Sequence, residues 1–160
     1  MSIIRVYLHF VWTTKKRIPF LSTSDIRDKV WNHMELNAKS KGIYALKIGG
    51  HNDHSHCLIS MSHDQTISKL AQLIKGESSH WINQSGLITD AFKHEKFDWQ
   101  NEYFVESVSP EGVHSVINYI CLQEEHHKHH TFQEEYEKFL SAAKADNLFF
   151  KAPPDKSGGN

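Results

Sequence analysis

Cysteine is scarce in this chain. Only Cys57 and Cys121 occur among 160 residues, too few for the disulfide framework of a small secreted scaffold, and both are expected to be reduced. Long apolar runs are missing too. No stretch approaches the roughly 18 residues of a membrane-spanning helix, and no charged, apolar, small-residue order marks a signal peptide. A cytoplasmic protein without membrane contact is therefore expected. Excess charge is the third absence: 18 Lys and Arg against 19 Asp and Glu leave a formal net charge of −1, which argues against a general polyanion binder. No internal repeat or separate linker interrupts the chain.

What is present is an ordinary mixture with an uneven layout. At 39% hydrophobic and 23% charged, the chain can bury a core as one domain, expected over residues 1–147, with a disordered tail over 148–160. Residues 1–50 carry nine Lys or Arg against three acids, and residues 51–130 carry five against eleven. The N-terminal third is thus the favoured face for phosphate, unless that charge is simply a solvated surface.

Periodicity gives the elements. Residues 3–13, IIRVYLHFVWT, are dense in β-branched and aromatic side chains and read as a strand. A basic loop with Pro19 follows. From Asp25 to Ser40 the apolar residues Ile26, Val30 and Met34 fall at helical spacing, with acids leading and Lys39 closing. Residues 43–48 alternate as a second strand, and Gly49 to Asp53 turns the chain into a third. A helix is expected over Thr66–Asn83, with a kink or loop at Gly76, and a fourth strand over Glu102–Ser109. Pro110 opens a helix reaching Gln123, and a last helix covers Phe132–Ala145. The mixed segment Leu87–Asn101 takes no assignment. The order is that of a split βαβ arrangement: an α+β, ferredoxin-like fold whose mostly antiparallel sheet of four or five strands carries helices on one face.

Two spacings bear on chemistry. In GGHNDHSHCLISM, His54 and His56 project from the same face of a strand, about 7 Å apart along the backbone, and can meet at one metal ion. Ser55 points the other way. With 13 histidines in the chain, about one His-x-His triplet is expected by chance, and a second, His127-Lys128-His129, is present. The pair alone does not separate ligands from ordinary strand residues. Downstream, in VINYICLQEEHH, Tyr119 and Gln123 are four apart and share a helical face. Tyrosine is a poor nucleophile near neutrality, but becomes useful against a phosphodiester polarised by a divalent cation. Gln123 can add an oxygen ligand to two imidazoles, a set with open positions that suits Mg²⁺ or Mn²⁺ better than a closed zinc site. The competing reading is an amphipathic packing face.

Together, HNDHSHCLIS, LAQLIKGESSHW, WQNEYFVESVS and VINYICLQ resemble, in this order and over roughly Val6 to Gln123, the single-tyrosine HUH transposases, the TnpA-like proteins of small insertion sequences. The resemblance implies cutting and rejoining of single-stranded DNA with hairpin ends, Tyr119 taking the 5′ phosphate as a phosphotyrosine, and His54, His56 and Gln123 holding the metal. It also implies a homodimer joined through the sheet, in which the tyrosine helix of one subunit serves the histidines of the other, in a bacterial or archaeal cell. Two departures stand out: Ser55 replaces a bulky apolar residue, at a cost of about 1–3 kcal/mol in burial, and His51-Asn52 replaces a Met-Pro pair. His51 is a candidate extra ligand.

Among the five tyrosines, only Tyr119 has an amide four residues on. Lys15, Lys16, Arg17 and Lys75 are candidate DNA contacts, and Trp12, Trp81 or Trp99 could stack on bases where they are not core. The cluster His126, His127, His129 and His130 is assigned no catalytic role. Three alternatives stay open: a domesticated nuclease acting on chromosomal repeats, a non-catalytic single-strand binder, and a zinc hydrolase, the last without a HExxH-like pair.

Overall fold

The computed structural model describes residues 1–88, 92 and 94–149. Its elements run β1 (Val6–Thr13), a 3-10 turn (Lys15–Arg17), α1 (Ser24–Ser40), β2 (Tyr44–Gly50), β3 (His54–Met61), α2 (Ile67–Ser85), β4 (Phe104–Val108), a second 3-10 turn (Pro110–Gly112), α3 (Val113–Cys121), the short α4 (Gln123–His126) and α5 (Phe132–Phe149). They fall into two compact units, residues 1–125 and residues from 126 onward. The tail expected from residue 148 lies outside the described residues, apart from the two that end α5.

The first unit is built on one four-stranded sheet in the order β2-β3-β1-β4, with every neighbouring pair antiparallel. This is the α+β, ferredoxin-like arrangement. Strand alternation gives the sheet two different faces. One carries Leu8, Phe10, Trp12, Ile48, Cys57 and Ile59, which share a buried core with Val30 and Met34 of α1 and Leu70 and Ile74 of α2. Each fully buried aliphatic or aromatic side chain there contributes about 1.5–3 kcal/mol, so this core holds the scaffold together. The other face carries Val11 opposite His56 and Thr13 opposite His54, and α3 lies there. Helices thus cover both faces, and the expectation of helices on one face is corrected: an apolar stripe on α3 needs a partner, and the first face is already filled by α1 and α2.

Local signals explain the element ends. The Thr23 hydroxyl accepts the Ile26 amide to cap α1, at 3.2 Å, and Thr66 does the same for α2 through the Lys69 amide, at 3.2 Å, satisfying amides that a helix start leaves without partners. α2 runs unbroken past Gly76, against the expected kink, because the helix buries Leu70 and Ile74 before that position and Ile82 after it, and packing outweighs one glycine. It ends at Gly86, whose φ of 71° is the left-handed cap. β1 begins at Val6, three residues later than expected, where pairing with Met61 begins. In the segment left unassigned, Phe97 and Trp99 are buried, and Trp99 bridges to Thr14.

Candidate active site

The register of β1 and β3 brings His54 and His56 out on the α3 face, and both are fully buried. α3 comes close to the sheet because β2 ends in two glycines. A β-carbon added to Gly49 would lie 2.7 Å from Ile120 Cγ2 and 3.1 Å from the Ile120 carbonyl oxygen, so the helix sits at a distance only glycine permits. Gly50 has a φ of +153°, and any side chain there would collide with the His54 carbonyl and the Ser55 backbone. The tight turn between β2 and β3 is what starts β3 with His54.

Four residues singled out from the sequence meet on this face. The Tyr119 ring is edge-on to His56, with centroids 5.5 Å apart and planes at 86°. Gln123 Oε1 is 3.1 Å from His54 Nε2, and the Gln123 amide nitrogen donates to the Tyr119 carbonyl at 3.4 Å. The tyrosine helix does not reach Gln123 as expected. It stops at Cys121, capped by Leu122, whose amide bonds back to Asn118, and Gln123 opens the next short turn. The four-residue spacing survives because the local contact between Tyr119 and Gln123 survives. Arg27, buried on α1, holds the segment after Gln123: its Nε and Nη2 donate to Glu124 Oε1 at 3.1 and 2.9 Å, and its Nη1 donates to the Leu21 carbonyl at 2.8 Å.

The electrostatics select which histidine nitrogens face inward. Asp53 Oδ1 lies 2.9 Å from His54 Nδ1. Burial pushes the Asp53 carboxyl up, but the hydrogen bond and attraction of His54, together with Arg17 at 3.4 Å, outweigh it and hold the group below the usual carboxylate value of 3.8. An ionised carboxylate accepts, so His54 carries its proton on Nδ1. On its other side His54 Nε2 meets the Gln123 oxygen at 3.1 Å, a contact that either a proton on that nitrogen or a cation beside both atoms satisfies. The donor set, imidazole nitrogen plus amide oxygen, fits a divalent ion of intermediate hardness.

The remaining expectations resolve differently. Ser55 lies on the opposite face, buried, and its hydroxyl donates to the Gly49 carbonyl at 3.2 Å, so the small residue is satisfied rather than merely underpacked. His51 Nδ1 lies 3.2 Å from Asn52 Oδ1, a contact to its own neighbour in the turn. Lys15, Lys16 and Arg17 form an exposed turn with Lys16 and Arg17 at φ of 58° and 55°. The Lys15 amide donates to the Asp98 carbonyl. Lys75 is not with the histidine pair. It donates to the Asn101 carbonyl at 2.9 Å and covers the ring of Tyr103, 5.5 Å from its centroid, in a cleft of about 580 Å³ lined also by Gln72, Asn83, Lys96 and Asp98. Trp12 and Trp99 are buried in the core and Trp81 stacks on His33 at 3.9 Å, so the first two are not base platforms. In the second unit, His126, His127 and Glu135 bring three ligand atoms within 4.8 Å of one another.

Sequence reasoning missed His9, Asp53, Gly49 and Arg27. For His9 a signal existed, a lone histidine in an apolar strand. For Gly49 and Arg27 none did, because their partners are 71 and 97 positions away (Ile120 and Glu124).

Known proteins resemble this chain in sequence and in fold. The family described as "Transposase IS200 like" matches residues 2–123, a span that takes in β1 through Gln123. No curated protein matches. Among solved structures, a protein from Deinococcus radiodurans R1 assigned as a transposase is 21% identical, with a TM-score of 0.58 over 76% of this chain and 93% of that one. A REP-associated tyrosine transposase bound to a REP hairpin is 16% identical, with a TM-score of 0.55 over 79% of this chain and 71% of that one. Likeness at these identities concerns the fold, whereas the family match spans most of the chain and the whole of the histidine, tyrosine and glutamine site. The chain belongs to the family of IS200-like transposases.

Proposed function

We propose that the protein cuts and rejoins single-stranded DNA through a covalent phosphotyrosine at Tyr119, with a divalent ion, Mg²⁺ or Mn²⁺, held by His54, His56 and Gln123. The observation that carries the reading is the convergence on one buried spot of a tyrosine ring 5.5 Å from His56 and an amide oxygen 3.1 Å from His54 Nε2. When bound, the ion neutralises charge on the phosphate oxygens and polarises the phosphorus. Tyr119 Oη attacks phosphorus, the P–O bond to the 3′ oxygen breaks, and that oxygen leaves as a 3′ hydroxyl. The 5′ phosphate stays on the tyrosine. Because one phosphoester replaces another, a later 3′ hydroxyl can reverse the step and join a new strand without ATP.

DNA with hairpin ends is the proposed substrate, a reading supported by the hairpin-bound relative of the same fold. Lys15, Lys16 and Arg17, with Lys75 across the neighbouring cleft, are proposed phosphate contacts. Action on such DNA places the protein in the cytoplasm with the nucleoid. A homodimer is proposed through the sheet, whose outer strands are β2 and β4. Within one chain Tyr119 already meets His56, and exchange of α3 between two protomers recreates the same set in trans.

The test is incubation of the protein and Tyr119→Phe with labelled single strands from both flanks of its gene, with Mg²⁺ or Mn²⁺, followed by denaturing gels. A metal-dependent adduct that vanishes in the variant supports the reading. Cleavage that persists in the variant sinks it and points to metal-activated water.

A further inference from the structure

The turn that joins α4 to α5 carries the run HHKHH over residues 126–130, which has no part in the reaction proposed above. Its backbone closes on itself: the amides of His129 and His130 both donate to the His126 carbonyl, at 3.1 and 3.0 Å. Thr131 then starts α5, its hydroxyl accepting the Glu134 amide at 3.2 Å and its carbonyl the Glu135 amide at 3.3 Å. A tight turn and a helix cap thus fix His126 and His127 against the first turn of α5. Side chains that are distant in sequence converge as a result. His127 Nε2 is 3.0 Å from Glu135 Oε2, and His126 Nε2 is 3.9 Å from the same oxygen. One ligand atom from each of the three residues lies within 4.8 Å of the others.

Hydrogen bonding accounts for only part of this arrangement. The contact of His127 with Glu135 has the right length, whereas that of His126 is too long. Ligands bound to one ion at about 2.0–2.2 Å sit roughly 3.3–3.5 Å apart around a tetrahedron, so shifts of about 1 Å or less in each side chain bring all three onto one ion. The His127 ring is already held for that role. Its Nδ1 is 2.9 Å from the His130 carbonyl, which can only accept, so Nδ1 carries a proton and Nε2 is the atom turned to Glu135. His130 stacks on His126, with centroids 4.9 Å apart and planes at 28°, and its own Nδ1 is 3.2 Å from Glu134 Oε2. Glu135 is only 3% exposed, and a carboxylate taken out of water is costly unless a cation faces it. Two neutral imidazoles and one carboxylate carry one negative charge, and their mixed nitrogen and oxygen donors suit Zn²⁺ better than Mg²⁺. We propose that His126, His127 and Glu135 form a second metal site, in which Zn²⁺ pins the turn at residues 126–130 to the first turn of α5. The site shares no residue with the set proposed for catalysis and does not rest on that reading. An ion that binds only the folded chain adds to stability by mass action. The competing occupant is a proton, with His127 and Glu135 as a simple ion pair.

The test uses the full chain, with Co²⁺ as a coloured substitute for Zn²⁺. Equilibrium dialysis counts bound ions, visible absorption reports nitrogen and oxygen ligands in a tetrahedral field, and thermal melts with and without Zn²⁺ report stabilisation. The variants are His127→Leu, Glu135→Gln and His126→Ala, compared with wild type and with the double variant His54→Ala, His56→Ala. His129→Leu, at an exposed position of the same turn, is the control. His127→Leu and Glu135→Gln are each expected to bind one ion fewer per chain than wild type and to lose the stabilisation that this ion gives. The double variant and His129→Leu are expected to keep that ion. His126→Ala, at a partly exposed position, is expected to weaken it by about 100-fold, the upper end of what losing even an indirect partner of a metal costs. Should the other two variants not fold, His126→Ala decides alone. Equal ion counts and affinities in wild type and these variants overturn the proposal, as does a wild type that binds no ion. Loss of the same ion in the His54, His56 double variant overturns it as well, because the ion would then belong to the catalytic set.

Discussion

Replacing Gly49 by alanine perturbs the site without touching any chemical group in it. The added β-carbon would lie 2.7 Å from Ile120 Cγ2, whereas carbon atoms settle at about 3.5–4.0 Å, so α3 must retreat by roughly 1 Å. Ile120 is the residue after Tyr119, and the retreat carries the tyrosine with it. Overpacking of this kind costs about 1–3 kcal/mol, which for a chain of this size lowers the melting temperature by roughly 2–4 °C per kcal/mol. Misplacing a reacting group by about 1 Å can cost about 100-fold in rate. Gly49→Ala is therefore expected to stay folded at assay temperature yet form the DNA adduct about 100-fold more slowly. Single-turnover adduct formation on a gel gives the rate, and a thermal melt gives the stability. The double variant Gly49→Ala, Ile120→Ala removes the colliding methyl, so its loss of stability should be smaller than the sum of the two single losses. Wild-type adduct rates in Gly49→Ala, or strict additivity in the cycle, would refute the close-approach argument.

Other parts of the structure give further expectations. Arg27→Met removes charge-assisted hydrogen bonds to Glu124 and Leu21 and should cost about 1–3 kcal/mol in urea unfolding, with a slower adduct step because Gln123 loses its anchor; equal stability and rate contradict the anchoring role. Cys57 is buried, and burial pushes its thiol up to about 12, while Cys121 is exposed. A thiol reagent should thus modify one cysteine in the native protein and both in denaturant, and fast native modification of two contradicts the packing of β3. Burial holds the Lys75 ammonium below its usual 10.5, against the pull of Asp98. The unfolded chain then binds this proton more tightly, so stability contributed by this group is full above the unfolded value and is lost as pH falls through the folded one. Urea midpoints of wild type minus Lys75→Met should rise with pH as it approaches the usual lysine value of 10.5 from below; a flat difference contradicts the burial of Lys75.

The placement of the candidate site residues was legible where it depended on one local period. Alternation along β3 put His54 and His56 on one side and Ser55 on the other, and the four-residue step linked Tyr119 to Gln123. These are properties of a single strand and a single turn, which sequence spacing encodes directly. The strand and helix order followed for the same reason. What stayed hidden depends on register and on which face an element chooses. His9 is 47 residues from His56, and only the pairing of β1 with β3 makes them neighbours. Gly49 reads as part of a turn, yet its work is to admit Ile120. Gly76 reads as a break, but core packing on both sides carries the helix through it. Trp12 and Trp99 resemble base platforms by type, and the core claimed them because a large apolar surface is best buried when the sheet face has room for it.

The central claim is that Tyr119 is the covalent attachment point. The direct measurement is to trap the protein on a cleavable single strand in the presence of Mn²⁺, digest with nuclease and trypsin, and locate the nucleotide-bearing peptide by tandem mass spectrometry. The account predicts a nucleotide linked through its 5′ phosphate to Tyr119, absent when the metal is chelated and absent from Tyr119→Phe. A nucleotide on any other residue, or cleaved DNA with no protein attached, would contradict it.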